Sequence, residues 1–164
     1  MTYGFTGHRP PKLGGYGKEA QQNLYNFAYQ ILYKHFDVCL DKAIIGMAQG
    51  WDLTIAQACF LLNIPYIAVV PFPGQELVWP DEKVRSLYRS ILDTAQQVVY
   101  VSQSTGGNVA RALQLRNQWI VDHSEKLIAL WDGIESGGTW NCVKYSRRRN
   151  VEVINVWEDW EEFQ

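Results

Sequence analysis

From one end of the chain to the other, short apolar runs alternate with stretches in which apolar residues recur every three or four positions. Few folds tolerate that alternation. Runs such as "AIIGM", "YIAVV" and "KLIALW" have no polar face, as strands covered on both sides require. The stretches between them carry one apolar stripe, as a helix lying on a sheet requires. Strand and helix in turn build β-α units around a parallel sheet. The expected fold is therefore α/β, a three-layer sandwich with a mostly parallel sheet of about six strands.

Strands are expected at Tyr3 to Thr6, Ala43 to Met47, Tyr66 to Pro71, Gln97 to Ser102, Lys126 to Trp131 and Val151 to Val156. A first helix, from residue 18 to about 36, would bury Leu24, Phe27, Ala28, Ile31, Leu32 and Phe36. Tyr25, Tyr29 and Tyr33 form a second stripe on its flank, suited to helix packing or to a homodimer surface. Further helices are expected from near Asp52, across Val84 to Ala95, from about Val109 to Ser124, and after Gly138. The tail "VWEDWEEFQ" reads as a closing turn packed on the core.

With 164 residues and no Pro/Gly-rich linker, residues 1–164 are expected to form one domain. A net charge of -2 argues against a dedicated nucleic-acid binder, which needs a positive excess. Cys39, Cys59 and Cys142 match no metal or redox spacing, and His8, His35 and His123 show no ligand spacing. No metal and no cofactor is expected. No apolar run approaches 18 residues and no charged-then-apolar leader is seen, so a cytoplasmic protein without membrane contact is expected.

In a parallel sheet every strand-to-helix turn emerges at one edge, where ligands bind. Three such turns are rich in glycine. After the first strand, "GFTGHRP" offers Gly7, His8 and Arg9, a backbone that can approach a phosphate beside a forked cationic donor. After the second, "GMAQGWDLTIAQA" brackets a tight turn with Gly46 and Gly50 before Trp51 and Asp52 open a helix, Asp52 serving as a helix cap or as a functional acid. After the fifth, Asp132 is followed by Gly137, Gly138 and Thr139 at another helix start. Arg116 and Asn117 stand on a half-buried helix, where the guanidinium must find an anion, a carbonyl or a carboxylate such as Asp132 or Asp122. Trp51 and Trp79 are candidates to stack on a base or to fill the core.

Together "GFTGHRP", "GMAQGWDLTIAQA", "RNQWIVDHSEKLIALWD" and "GGTWNCVKY" resemble the SLOG superfamily of Rossmann-like domains, which joins DprA/Smf proteins, LOG phosphoribohydrolases and small YpsA-like proteins. Gly46, Ala48, Gly50 and Asp52 follow the DprA G-x-A-x-G-x-D pattern, with Ala56 one step late, and Arg116 and Asn117 match its R-N pair. The chain is most similar to the YpsA-like branch. The LOG glutamate would stand three residues after Thr139, where this chain has Cys142. The resemblance thus implies a nucleotide-type ligand rather than a reaction.

Three functions are carried forward. The first is a module that binds a nucleotide or nucleotide-derived small molecule at the carboxyl edge of the sheet, as a sensor or to sequester it. The second is an N-glycosidic hydrolase of a nucleotide, with Glu76 or Asp52 as its carboxylate. The third, less favoured, is single-stranded nucleic-acid binding through Arg9, Arg111, Arg116 and the run Arg147, Arg148 and Arg149.

Overall fold

The computed structural model describes residues 1–164. Its strands are β1 (Thr2–Gly7), β2 (Lys42–Ile45), β3 (Tyr66–Val70), β4 (Gln97–Tyr100), β5 (Lys126–Leu130) and β6 (Glu152–Asn155). They form one sheet in the order β4-β3-β2-β1-β5-β6, and every neighbouring pair is parallel. The helices are α1 (Lys18–His35), α2 (Trp51–Leu61), α3 (Glu82–Thr94), α4 (Val109–Asp122), α5 (Gly137–Arg148) and α6 (Trp157–Phe163). This is the α/β, Rossmann-like layout that the alternation of apolar patterns implies.

Neighbouring residues of each strand face opposite layers. Ala43 and Ile45 of β2 pack with Phe27, Ile31, Ile55 and Tyr88 from α1, α2 and α3, and α6 joins the same core through Trp160. Ile44, on the other face, packs with Val69, Leu127, Ile120 and Cys142, beneath α4 and α5. The strands are apolar on both sides because both sides are covered.

Several strands stop before their apolar runs do. β2 ends at Ile45 because Gly46 and Met47 already belong to a turn: Met47 has φ of 61° and its carbonyl accepts a 3.0 Å bond from Gln75 Nε2. The tail is a helix, α6, rather than a simple turn, and its Trp160 ring lies 5.2 Å from Phe27. Of the tyrosine stripe on α1, Tyr25 packs on the core while Tyr29 and Tyr33 stay exposed. No helix is long and apolar enough to cross a membrane.

The strand order places the site. From β1 the chain winds outward through β2, β3 and β4, then returns to lay β5 on the other side of β1. The connections leaving β1 and β5 therefore diverge, and a crevice opens between their carboxyl ends.

Candidate functional site

That crevice is a cleft of about 320 Å³, walled by the turn after β1, the N-terminus of α5 and one face of α4. Only two of its fifteen lining residues are hydrophobic, so it suits a strongly polar group.

The N-terminus of α5 is its most open wall. Ser136 stands at the cap but makes no capping bond, and Gly137 takes φ of 89°, which an L side chain rarely adopts. The amides of Gly137, Gly138 and Thr139 find no acceptor within the protein. A Cβ on either glycine would meet nothing within 4 Å, so open space lies beside this turn. Three unpaired donors at the positive end of a helix dipole attract an anion.

The N-terminus of α2 is different because backbone carbonyls already occupy it: the Trp51 amide donates to the His8 carbonyl at 3.2 Å and the Leu53 amide to the Ala48 carbonyl at 3.0 Å. Asp52 is buried in the first turn of α2, where its Oδ2 accepts a 3.3 Å bond from the Ala48 amide and its Oδ1 has no partner. Burial pushes its pKa up from 3.8 to about 6, against the opposing pull of Arg116, the Ala48 amide and Arg9. Arg116 is buried beside it, 7% exposed, and burial lowers its pKa while Asp52 raises it. Its Nη1 donates to the Gly46 carbonyl at 2.7 Å and its Nε to Asn117 Oδ1 at 3.0 Å. Nη2 has no acceptor in the protein. Asn117 Nδ2 donates in turn to the Gly138 carbonyl at 3.3 Å. The Arg-Asn pair thus ties the β2 turn to the start of α5.

The turn after β1 is braced from below. His8 is buried, with Nε2 3.0 Å from both the amide and Oδ1 of Asp132. Lys12, in a short 3-10 turn at Pro10–Lys12, holds Asp132 Oδ2 at 2.6 Å. Burial pushes the His8 pKa down, against the attraction of Asp132, so the ring favours its neutral form. Burial would raise the Asp132 carboxyl, but Lys12, the Ile134 amide and His8 together bring it below its ordinary value. This network joins the β1 and β5 turns. Above it Arg9 is exposed, lines the cleft and has no ion-pair partner.

Of the residues singled out in the sequence, Gly7, His8, Arg9, Asp52, Arg116, Asn117, Gly137, Gly138 and Thr139 border the cleft. Gly46, Gly50, Trp51, Asp132 and Glu76 do not. Trp51 is fully buried in the main core, and Trp79 packs edge-on to Tyr88 at 5.1 Å, so neither ring presents a base-stacking face to the cleft. The glycines before α2 are closely packed against protein atoms. A Cβ on Gly46 would stand 2.9 Å from Arg116 Nη1 and from Asp52 Oδ2, and one on Gly50 would stand 2.6 Å from the His8 carbonyl. Gly7 leaves room for the Trp51 ring, whose Cδ1 would lie 2.4 Å from a Cβ there. Glu76 is buried in a 3-10 turn after β3, two strands away from β1. Arg116 bridges to neither Asp132 nor Asp122, since Asp132 holds Lys12 and His8 and Asp122 holds Arg149 and Tyr145.

Thr6, in the turn that the sequence offers after the first strand, also borders the cleft, as do Lys12 and Ser136, which were not anticipated. Only Lys12 had a signal, as a cation directly after two prolines that fix the direction of the chain. No group of three or more His, Cys, Asp or Glu gathers to hold a metal ion.

Residues 3–153 match the sequence family YpsA, described as the YspA SLOG family. Among curated proteins, the chain is 29% identical over 121 residues to an uncharacterized SPbeta prophage-derived protein, YoqJ, of Bacillus subtilis, covering 65% of this chain and 70% of that one. It is 25% identical over 157 residues to a UPF0398 protein of Bacillus cereus, covering 92% and 84%. Among solved structures, DNA processing protein A from Helicobacter pylori superposes with a TM-score of 0.60 at 12% identity, over 93% of this chain and 63% of that one. DprA from Streptococcus pneumoniae gives 0.58 at 12% identity, over 93% and 48%. At such identities the likeness is one of fold, and this chain spans less than two thirds of either protein.

Proposed function

The chain belongs to the YspA SLOG family, and on that footing we propose that its cleft binds a nucleotide or nucleotide-derived small molecule by a phosphate group, as a sensor or a sequestering module. The observation that carries this reading is the meeting of three open amides, Gly137 to Thr139, with two arginines that keep free donors, Arg9 and Arg116, around one polar cleft. Each charge-assisted bond to a phosphate oxygen is worth about 1.5–3 kcal/mol, so a few of them support micromolar binding. The volume, about 320 Å³, lies at the small end of ligand sites and suits the sugar and phosphate better than a whole dinucleotide. A thermal-shift screen over nucleotides tests it. A ligand that binds only the folded chain raises Tm, and Arg9→Ala should abolish that rise. No shift with any nucleotide would refute the proposal.

A second reading, N-glycosidic hydrolysis, is favoured by one observation: Asp52 is a buried carboxylate in the cleft, with a pKa of about 6 and a free oxygen. Such a group could activate water or stabilise developing positive charge on a sugar. Incubation with AMP or NAD, followed by assay for free base, separates the readings, since a binding module releases none. The Helicobacter protein is described by its single-stranded DNA binding mode. For this chain, of net charge -2, that activity is the third reading, and a steep loss of oligonucleotide affinity with salt would mark it. We place the protein in the cytoplasm as one domain, where its three free cysteines stay reduced, with exposed Tyr29 and Tyr33 available to a second copy.

A further inference from the structure

β6 is an edge of the sheet, and nothing pairs with its outer side. The Val156 amide donates to the Ala129 carbonyl, so in a parallel ladder the main-chain groups of Glu152 and Ile154 also face β5. Those of Val153 and Asn155 therefore point outward, free to pair with another strand. An open groove of about 470 Å³ runs beside this edge, bordered by Glu152, Val153, Asn155, Trp131 and Arg147.

Beside that groove, on the outer side of α5, cations gather on aromatic rings. Trp131 and Trp140 stack with ring centroids 5.3 Å apart and planes at 17°. The Arg147 guanidinium lies 5.5 Å from one ring centroid and 5.7 Å from the other, and Lys144 Nζ lies 5.9 Å from that of Trp140. Arg148 rests on Tyr145 in the same way. These three cations are exposed and pair with no carboxylate, whereas Arg149 next to them pairs with Asp122. The rings hold Arg147 in place while its in-plane N-H groups remain free. At the opposite side of the sheet, Arg85 and Arg89 on α3 both pair with Glu82.

We propose that the β6 edge and the outer face of α5 form a docking site for an extended acidic segment of a partner protein, which adds to the sheet as a further strand. The open amide and carbonyl groups at Val153 and Asn155 supply main-chain bonds, and Arg147, Lys144 and Arg148 select carboxylates alongside. Charge argues against a second copy of this chain at the same edge, since pairing β6 with β6 would bring two such cationic faces together. Single-stranded nucleic acid fits less well, because Trp131 and Trp140 cover one another and carry Arg147, leaving a base no platform of the kind such binding uses.

The test is fluorescence anisotropy with a labelled decapeptide of alternating Glu and Thr at low salt. Its counterpart with Lys for Glu, a copy with alternate backbone amides N-methylated, and a ten-nucleotide oligothymidylate serve as comparisons. The intact acidic peptide should bind best, and Arg147→Glu should weaken it about tenfold or more. Val153→Pro should do the same while keeping the ladder to β5, because the amide it removes points outward. A circular-dichroism melt checks that this variant folds, and Arg147→Glu, an exposed substitution, carries the test if it does not. The proposal is overturned if the acidic peptide binds no better than the lysine peptide, if N-methylation or Arg147→Glu changes nothing, or if the oligonucleotide binds more tightly.

Discussion

Replacing Asp52 by Asn should flatten the dependence of stability on pH, and the size of the effect can be worked out. Burial holds the Asp52 proton up to about pH 6, whereas the unfolded chain releases it near 3.8. A carboxyl whose folded pKa is raised contributes stability that is fully present below the unfolded value and is lost as pH rises through the folded one. The gap of about two pKa units corresponds to roughly 3 kcal/mol, of which about 2 kcal/mol is lost between pH 4 and pH 7. Asparagine keeps the shape and an acceptor for the Ala48 amide but carries no charge. Urea unfolding of both proteins across this range gives the test. Every other titrating group is common to the two and cancels in the difference. The stability of Asp52→Asn relative to the native chain should therefore rise by about 2 kcal/mol from pH 4 to pH 7. Profiles that stay parallel to within about 0.5 kcal/mol would refute the reasoning and mean that Asp52 is hydrated in solution.

Gly46→Ala should cost about 1–3 kcal/mol in unfolding experiments, because the new methyl would stand 2.9 Å from Arg116 Nη1 and Asp52 Oδ2; it should also weaken ligand binding by displacing Arg116. Arg9→Ala, at an exposed side chain without an ion-pair partner, should leave the melting temperature of the free protein nearly unchanged while removing the ligand-induced rise. Asp132→Asn should destabilise the chain at neutral pH by removing the ion pair with Lys12. That difference should vanish in acid, since a carboxyl with a depressed pKa contributes stability only above its folded value and loses it as pH falls through that value.

The fold was legible because its signal is repeated. Each β-α unit carries its own change of apolar period, and an error of one or two residues at β2 or β5 leaves the others intact. The cleft was legible in part, since Gly7, Arg9, Arg116 and Gly138 all face it. What stayed hidden depends on strand order and on packing direction. Glu76 follows a strand and so reaches the correct edge of the sheet, but β3 lies two positions from β1 and the cleft opens between β1 and β5. Gly46 and Gly50 look like phosphate-turn glycines, yet their missing side chains make room for Arg116, Asp52 and the His8 carbonyl. A glycine kept for a neighbouring side chain and one kept for a ligand have the same letter. Trp51 had two readings, and only the direction of α2 against α1 shows that its ring meets Phe27, 5.6 Å away in the core.

On the proposed reading, an anion lodges on the first turn of α5 between Arg9 and Arg116. Amide-resolved NMR titration with AMP and with inorganic phosphate examines it directly. The Gly137, Gly138 and Thr139 resonances should move together along one saturating curve for each ligand, and Arg9→Ala should shift both curves to weaker binding. If those three resonances hold still while other amides respond, the anion sits elsewhere and the account is wrong.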